Sequence, residues 1–201
     1  MVAFKISHIL ALASAAAAAP TELLGARATV AHDSIAPVEE RIKTGDLGNT
    51  NKGQTYARAG TVDGKPVVMY AWYMPKDQPL DGDTAGGHRH DWENIVIQVD
   101  DPKSKTPKIV AAAASSHGGY SKAAGGAPPM QGNGPKVEYF TSFPTNHELQ
   151  FTDTVGKTYP ISDWDAMPQP AQRALQDTSF GSANVPFKDG NFESKVREAL
   201  A

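Results

Sequence analysis

The sequence predicts an all-β-dominated protein, and three observations support this fold class. Short runs rich in Val, Ile, Tyr and Trp recur between turn signals from residue 55 onward. The 201-residue chain contains 18 glycines and 15 prolines, which favours many turns over a helix bundle. Hydrophobic residues make up 40% of the chain, which is enough for a core and argues against wholesale disorder. We therefore expect a β-sandwich or barrel with a few peripheral helices.

The N-terminus has the pattern of a secretory signal peptide. Lys5 is followed by ISHILALASAAAAA at residues 6–19, a run shorter than the roughly 20 residues that span a bilayer. We predict that residues 1–19 are a signal peptide and that the product is secreted and extracellular. Residues 20–54 show little apolar periodicity and are predicted to form an arm and a shortened loop region, ahead of one domain at residues 55–201.

The first two strands are predicted at residues 56–62 and 67–74. Asp63-Gly64 between them is a typical hairpin turn. The second run, VVMYAWYM, is apolar throughout, as expected of a strand that is covered on both faces. We expect Tyr70 and Trp72 in this run to belong to the core. Pro75 is expected to end this strand.

Three more strands are predicted at residues 93–100, 108–115 and 136–143. The segment between the last two, residues 118–135, is rich in Gly and Pro and is expected to be a long irregular surface loop. Short helices are predicted at residues 162–166, 170–177 and 191–200. The last helix has an apolar stripe formed by Phe192, Val196 and either Ala199 or Leu200. Its candidate capping residue is Asp189 or Asn191.

Charge and cysteine content exclude several function classes. The formal net charge is −3, which argues against a basic nucleic-acid-binding surface. The chain has no cysteine, so disulfides, iron–sulfur clusters, thiolate zinc sites and a cysteine nucleophile are excluded. Any metal must therefore be held by histidine, carboxylate or carbonyl groups.

The densest polar cluster is GHRHDWE at residues 87–93, directly ahead of an apolar run. On a regular strand His88 and His90 face one side, whereas Asp91 and Glu93 face the other. A bend at the preceding double glycine, or a bulge, is needed to bring these groups to one ion. The segment is thus a candidate metal or catalytic site.

The donor types suit a hard ion. Several carboxylates and few imidazoles favour Mg²⁺, Ca²⁺ or Mn²⁺, although zinc stays an alternative. Further donors are available in DQPLDGD at residues 77–83, and in His117 and His147, which lie beside predicted strand ends. The simplest alternative is a solvated polar turn in which Arg89 pairs with a carboxylate.

Enzyme hypotheses fit less well, and we predict that the protein is not an enzyme. His88 and His90 followed by Glu93 are similar to the cupin metal motif, but Glu93 lies too close to His90. Ser115 or Ser116 with His117 and an aspartate is a possible catalytic triad, yet a Gly-x-Ser-x-Gly elbow is absent. A cupin-like metal-dependent enzyme stays an alternative.

Five motifs in order resemble one known family. They are MYAWYMPKD at residues 69–77, GHRHDWE at 87–93, SSHGGYSK at 115–122, FPTNHEL at 143–149 and FGSANVPFKDGNF at 180–192. Together they resemble the necrosis- and ethylene-inducing peptide 1-like proteins, the NPP1-type cytolysins, across residues 56–201.

The resemblance implies a β-sandwich of two antiparallel sheets with short peripheral helices, similar to actinoporins and fungal lectins. It also implies a secreted toxin and virulence factor that acts as a monomer. Such proteins bind the sugar headgroup of glycosylinositol phosphorylceramide in plant plasma membranes and permeabilise them. A divalent cation, Mg²⁺ or Ca²⁺, occupies an acidic surface cavity.

The resemblance also assigns site residues. Asp77 and Asp91 would be direct carboxylate ligands of the cation. His88, Glu93 and His147 would complete its shell, directly or through water. The candidates for contact with the headgroup are Phe143, His117, Arg89 and His90.

Three departures from the family pattern define a second hypothesis. The cysteine pair that the family has near residues 34–55 is absent. The loop after Asp77 is long, so that Asp81 or Asp83 can take the place of Asp77 as a ligand. Phe143 stands where the family commonly has Trp. The alternative is a truncated family member that does not lyse membranes but is sensed by plant immunity.

Overall fold

The structure is a computed structural model that describes part of the chain. The described residues are 2–3, 53–77, 88–117, 119–141, 147–156 and 158–201. The predicted signal peptide beyond Val2–Ala3, most of the predicted arm, the double glycine, Asp81, Asp83 and Phe143 lie outside them. Within the described residues, no helix is long and apolar enough to cross a membrane.

Strands dominate this part of the chain, as the sequence predicts. The strands are β1 (Val2–Ala3), β2 (Thr55–Val62), β3 (Lys65–Asp77), β4 (His88–Val99), β5 (Ile109–Ser116), β6 (Gly119–Lys122), β7 (Met130–Gln131), β8 (Gly134–Thr141), β9 (His147–Phe151) and β10 (Ile161–Asp163). The helices of the described residues are α1 (Gln169–Asp177) and α2 (Phe192–Leu200).

The strands form two sheets in which antiparallel pairing dominates. The larger sheet has the order β10-β2-β3-β4-β5-β6, and among the described strands only β10 pairs in parallel, with β2. In the smaller sheet β8 pairs with β1, β7 and β9, all antiparallel. The predicted hairpin turn is confirmed, because Asp63 and Gly64 both have positive φ, +51° and +75°.

The larger sheet is covered on both faces, which explains its apolar second strand. One face packs against the smaller sheet through buried Val68, Tyr70, Trp72, Ile95, Ile97, Val137 and Leu149. The other face packs against the helices and the C-terminal segment through buried Met69, Val96, Trp164, Phe187 and Val196. The prediction that Tyr70 and Trp72 belong to the core is confirmed, and the layering is consistent with the predicted β-sandwich.

Arg58 of β2 attaches the C-terminal segment to the larger sheet. Its guanidinium lies 5.4 Å from the centre of the Trp164 ring and 4.9 Å from that of Phe192. It also donates to the carbonyl of Phe187 at 2.8 Å and pairs with Asp189 at 2.8 Å. Phe192, the first residue of α2, is thereby fixed to the strand.

Helix α2 begins at Phe192, one residue after the predicted start at Asn191. Asn191 is its capping residue by position, but the amide of Asn191 donates to the carbonyl of Val185 instead of capping the helix. The predicted apolar stripe is confirmed by the buried residues of the helix, which are Phe192, Val196 and Ala199.

The prediction that Pro75 ends its strand is wrong. Strand β3 continues to Asp77, and the ladder pairs Met74 with Asp91 and Lys76 with Arg89. Pro75 falls between these pairs, so its missing N–H does not interrupt the pairing on either side.

Two further predictions are corrected. Residues 162–166 do not begin a helix: Ile161–Asp163 is strand β10, because the open edge of β2 supplies backbone partners at Thr55–Ala57. Segment 118–135 is not wholly irregular, since it contains β6 and β7. Backbone pairing with β5 and β8 forms these strands despite the abundance of glycine.

Candidate functional site

The predicted cation ligands Asp77, His88 and His147 lie where the ends of β3, β4 and β9 meet, which we call the rim. Asp77 ends β3, His88 begins β4 opposite it, and His147 begins β9. The Asp77 side chain is fully buried, with Oδ1 2.6 Å from Nδ1 of His147 and Oδ2 3.5 Å from Nε2 of His88. The backbone N–H of His147 donates to the same carboxylate at 3.2 Å. Asp77 therefore joins β3, β4 and β9.

The His147 ring is held on both nitrogens and on one face. Its Nε2 is 2.9 Å from Oγ1 of Thr141, and its ring stacks on Tyr139 with centroids 4.5 Å apart and planes 13° apart. With Nδ1–H directed at the Asp77 carboxylate, Nε2 accepts from the Thr141 hydroxyl. The ring orientation at the rim is thus fixed.

Asp91 lies between the sheets beside this group. The Tyr139 hydroxyl donates to its Oδ2 at 2.9 Å. Burial raises the pKa of the Asp91 carboxyl, and the charge of Asp77 adds to that rise, whereas the Tyr139 hydrogen bond and the charge of His88 oppose it. Burial and the charge of Asp91 also raise the pKa of Tyr139, so its hydroxyl remains a donor.

Glu93 lies further along the same face of β4 and is 8% exposed. The Ser115 hydroxyl donates to its Oε2 and accepts the backbone N–H of Asn94 at 2.9 Å. Burial raises the pKa of the Glu93 carboxyl well above its usual value, and the charge of Asp91 adds to this effect. The Glu93 and Asp91 carboxyl groups thus lie near each other in a buried region of low dielectric constant.

His90 lies on the opposite face of the larger sheet. Its Nδ1 is 2.6 Å from the Tyr73 hydroxyl, and its ring meets the edge of Phe180. His90 has a φ of +65°, a left-handed backbone that the sequence did not predict; the predicted bend at the double glycine lies outside the described residues. Pairing with β3 keeps one register throughout, so this irregularity is not a bulge.

The other predicted contact residues occupy different positions. His117 is exposed after β5, and its backbone N–H donates to Oε2 of Glu148 at 2.9 Å. Because Glu148 follows His147, this contact places His117 near the rim. Arg89 is exposed in β4. Phe143 lies outside the described residues.

The donor chemistry of the rim fits a hard divalent cation, but the donors are engaged with protein partners. Asp77 is held by His147, Asp91 by Tyr139 and Glu93 by Ser115. In the described ranges, no three His, Asp or Glu side chains stand where they could hold a metal ion together. Three carboxylates that repel one another in a buried space are nevertheless the oxygen-rich donors that Mg²⁺ and Ca²⁺ prefer.

Sequence reasoning missed the residues that hold the site in place. These are Tyr139, Thr141 and Tyr73, together with Ser115 in its contact with Glu93. One signal was available for Tyr139: it alternates with the buried Val137 on β8 and therefore faces the larger sheet. No comparable sequence pattern marks Thr141, Tyr73 or Ser115 as a hydrogen-bond partner of a site residue.

Comparison with known proteins decides the family. The family model described as "Necrosis inducing protein (NPP1)" matches residues 40–199. The chain belongs to the NPP1 family of necrosis-inducing proteins. The resemblance that the motifs predict is thereby confirmed.

Relatives in this family are named as effector proteins or necrosis-inducing proteins. "NLP effector protein 10" of Phytophthora capsici is 43% identical over 159 residues, which are 77% of this chain and 65% of that protein. "Necrosis-inducing protein NPP1" of Phytophthora nicotianae is 42% identical over 160 residues, with the same shares. The chain therefore spans 65% of the length of these two relatives.

Solved structures agree with the fold. A structure described as "Toxin fold as basis for microbial attack and plant defense" is 44% identical and matches with a TM-score of 0.69 over 76% of this chain and 70% of that chain. "NLPPya in complex with mannosamine" is 44% identical, with a TM-score of 0.68 over 75% and 69%. "Non-toxic HaNLP3 protein" is 40% identical, with a TM-score of 0.68 over 74% and 68%.

Proposed function

We propose that this NPP1-family protein is a secreted effector that binds the sugar headgroup of glycosylinositol phosphorylceramide in plant plasma membranes and permeabilises them. The proposal depends on a divalent cation, Mg²⁺ or Ca²⁺, at the rim. We also propose that the fold resembles those of actinoporins and fungal lectins, as the sequence predicts.

One observation carries the proposal. The Asp77 and Asp91 carboxylates contact His147 and Tyr139, whose rings stack with centroids 4.5 Å apart where the two sheets meet. A family member with a sugar amine bound adds support, because NLPPya forms a complex with mannosamine. Sugar hydroxyls and hard cations both need oxygen-rich, polar surroundings, and this rim offers them.

The residues of the chain divide the work at the rim. Asp77 and Asp91 would hold the cation, and Glu93, His88 and His147 would complete its surroundings. Tyr139 and Thr141 orient Asp91 and His147 through the hydrogen bonds described above. A bound divalent cation supplies positive charge and exchangeable coordination positions for sugar hydroxyls. Headgroup contact is proposed for Phe143, His117 and Arg89.

Dye leakage from vesicles tests this function. Vesicles that contain plant glycosylinositol phosphorylceramide should leak with the parent protein and Mg²⁺ or Ca²⁺, and should stay intact with EDTA. Asp91→Asn keeps the shape of the side chain but removes its charge, and it should abolish leakage. Asp177→Asn, a matched change at the exposed end of α1, should leak vesicles like the parent.

Equal leakage by Asp91→Asn and the parent contradicts the metal role. No leakage by the parent, together with calorimetric binding of the cation, favours the second candidate, a non-cytolytic family member sensed by plant immunity. The non-toxic HaNLP3, which shares the fold at 40% identity, makes this candidate specific. Redox-active iron or manganese with turnover of a small substrate would instead favour the cupin-like enzyme.

A further inference from the structure

The ladder between β3 and β4 contains one unusual backbone position. His90 has a φ of +65° inside β4, a left-handed conformation that is uncommon for any residue other than glycine. The pairs on either side of it, Met74 with Asp91 and Lys76 with Arg89, keep the same register. No residue is inserted, so the positive φ changes the direction of side chains without changing the pairing.

The regular alternation of side chains between the two faces of the sheet is broken at this position of β4. In a regular strand, His88 and His90 would share a face. In this structure His88 approaches the Asp77 carboxylate, within 3.5 Å, on the side of the smaller sheet. His90 instead meets Tyr73 and Phe180, which pack on the helix-covered side.

Side chains on the helix-covered side hold His90 in this conformation. The Tyr73 hydroxyl is 2.6 Å from Nδ1, and the two rings stack with centroids 5.9 Å apart and planes 25° apart. Phe180 meets the imidazole edge-on, with centroids 5.5 Å apart and planes 82° apart. The contacts fix the ring away from the rim, so His90 does not lie among the proposed cation ligands.

We propose that His90 is a positioning residue for the cation site, a role that rests on the function proposed above. Its left-handed backbone, held by Tyr73 and Phe180, brings His88 to the same side as Asp91 and Glu93. His90 acts through these neighbours and does not itself contact the cation.

Two substitutions separate this role from an ordinary strand position. His90→Gly retains free access to positive φ, whereas His90→Val resists it, since a β-branched side chain clashes there. Calorimetry with Mg²⁺ and Ca²⁺ should show affinity about tenfold weaker for His90→Val, and within about threefold of the parent for His90→Gly. Strand propensity alone predicts the reverse order, with Val better than Gly.

A matched pair provides the control. Thr61 is an exposed residue of β2 outside the site, and it lacks a positive φ. Thr61→Gly and Thr61→Val should follow strand propensity in thermal stability and should leave cation affinity unchanged. If His90→Val fails to fold, His90→Ala takes its place, because alanine also disfavours positive φ.

Histidine ring NMR of the cation-free protein separates the two proposals. Signals of His88 and His147 should match the parent in His90→Gly and should shift in His90→Val. If the parent binds neither cation but the signals follow this order, the proposed function fails and only the placement of His88 by the His90 backbone stands. Equal affinities and equal ring signals in the Val and Gly variants overturn the positioning role.

Discussion

The Asp77 carboxylate and the His147 imidazole connect the two sheets of the fold. They are 70 positions apart in the chain, yet Oδ1 of Asp77 lies 2.6 Å from Nδ1 of His147. The side chains are 0% and 9% exposed, so water does not compete for the contact. A pair in this position holds β3 against β9, so it should contribute to the stability of the fold.

Asp77→Asn should lower the free energy of unfolding by about 2 kcal/mol, the cost of losing a buried hydrogen bond to a charged group. Urea denaturation of the cation-free protein measures the change. Asp177→Asn at the exposed end of α1 is the control and should change the value by less than about 0.5 kcal/mol. Equal stability of the two variants would show that the contact adds nothing.

Glu93 should make stability depend on pH. Burial and the Asp91 charge raise its pKa in the folded state well above the ordinary value of 4.5. The folded protein therefore binds this proton more tightly than the unfolded chain does. The resulting stabilisation is full below pH 4.5 and is lost as the pH rises through the folded-state pKa.

Glu93→Gln cannot ionise and should therefore have a higher Tm than the parent at alkaline pH in EDTA. The gain should disappear below pH 4.5. Thermal unfolding at a series of pH values measures this difference. Glu138→Gln on β8, whose carboxylate accepts from the Gln150 amide, is the control and should show no such gain. A constant Tm difference at every pH would refute the prediction.

Tyr139→Phe should weaken the site while keeping its packing. The change removes the hydroxyl that donates to Asp91 at 2.9 Å but keeps the ring that stacks on His147. Loss of a hydrogen bond to a carboxylate should cost about 2 kcal/mol of unfolding free energy, and it should raise the pKa of Asp91 further. Denaturant titration and cation calorimetry measure the two effects.

Tyr120→Phe is the matched control for this change. The Tyr120 hydroxyl donates to the amide oxygen of Asn94 at 2.7 Å, which is a neutral acceptor. Its loss should cost about 1 kcal/mol and should leave cation affinity close to that of the parent. If both tyrosine variants reduce affinity equally, the specific role of Tyr139 is wrong.

Arg58→Lys should loosen the C-terminal segment. Lysine keeps the charge but loses the planar group that contacts both Trp164 and Phe192, as well as the second donor to Phe187 or Asp189. We expect a loss of about 1–2 kcal/mol in unfolding free energy and faster proteolysis within α2. Lys65→Arg on β3 is a control that should not alter cleavage. Unchanged cleavage in Arg58→Lys would contradict the role of Arg58 in attaching the C-terminal segment to the larger sheet.

Local patterns were sufficient to predict much of the fold. The apolar run before Pro75 predicts a strand covered on both faces, and Asp63-Gly64 predicts the hairpin turn that the structure contains. Strand β10 was mistaken for a helix because its three residues pair with β2, far away in the chain. Backbone pairing at a sheet edge leaves no periodic signal in the edge strand itself.

The site was predictable in its residue types but not in its geometry. The motif around Asp91 and Glu93 identifies oxygen and imidazole donors, and side chains that alternate along a regular strand cannot all reach one ion. Within the described residues, β4 has a left-handed backbone at His90, whose ring contacts Tyr73 and Phe180; the double glycine lies outside the described residues. Contacts between remote strands, such as the one between Tyr139 and Asp91, depend on how the sheets pack and are not encoded locally.

The parallel pairing of β10 with β2 has a consequence for the kinetics of folding. Thr55–Val62 emerges from the ribosome long before Ile161–Asp163, so the outer edge of β2 stays open until late in synthesis. Non-local pairings of this kind raise contact order and slow folding. During that interval the bare edge can template pairing between chains. The yield of native protein during synthesis should therefore depend on how soon Ile161–Asp163 follows and on the concentration of unfinished chains.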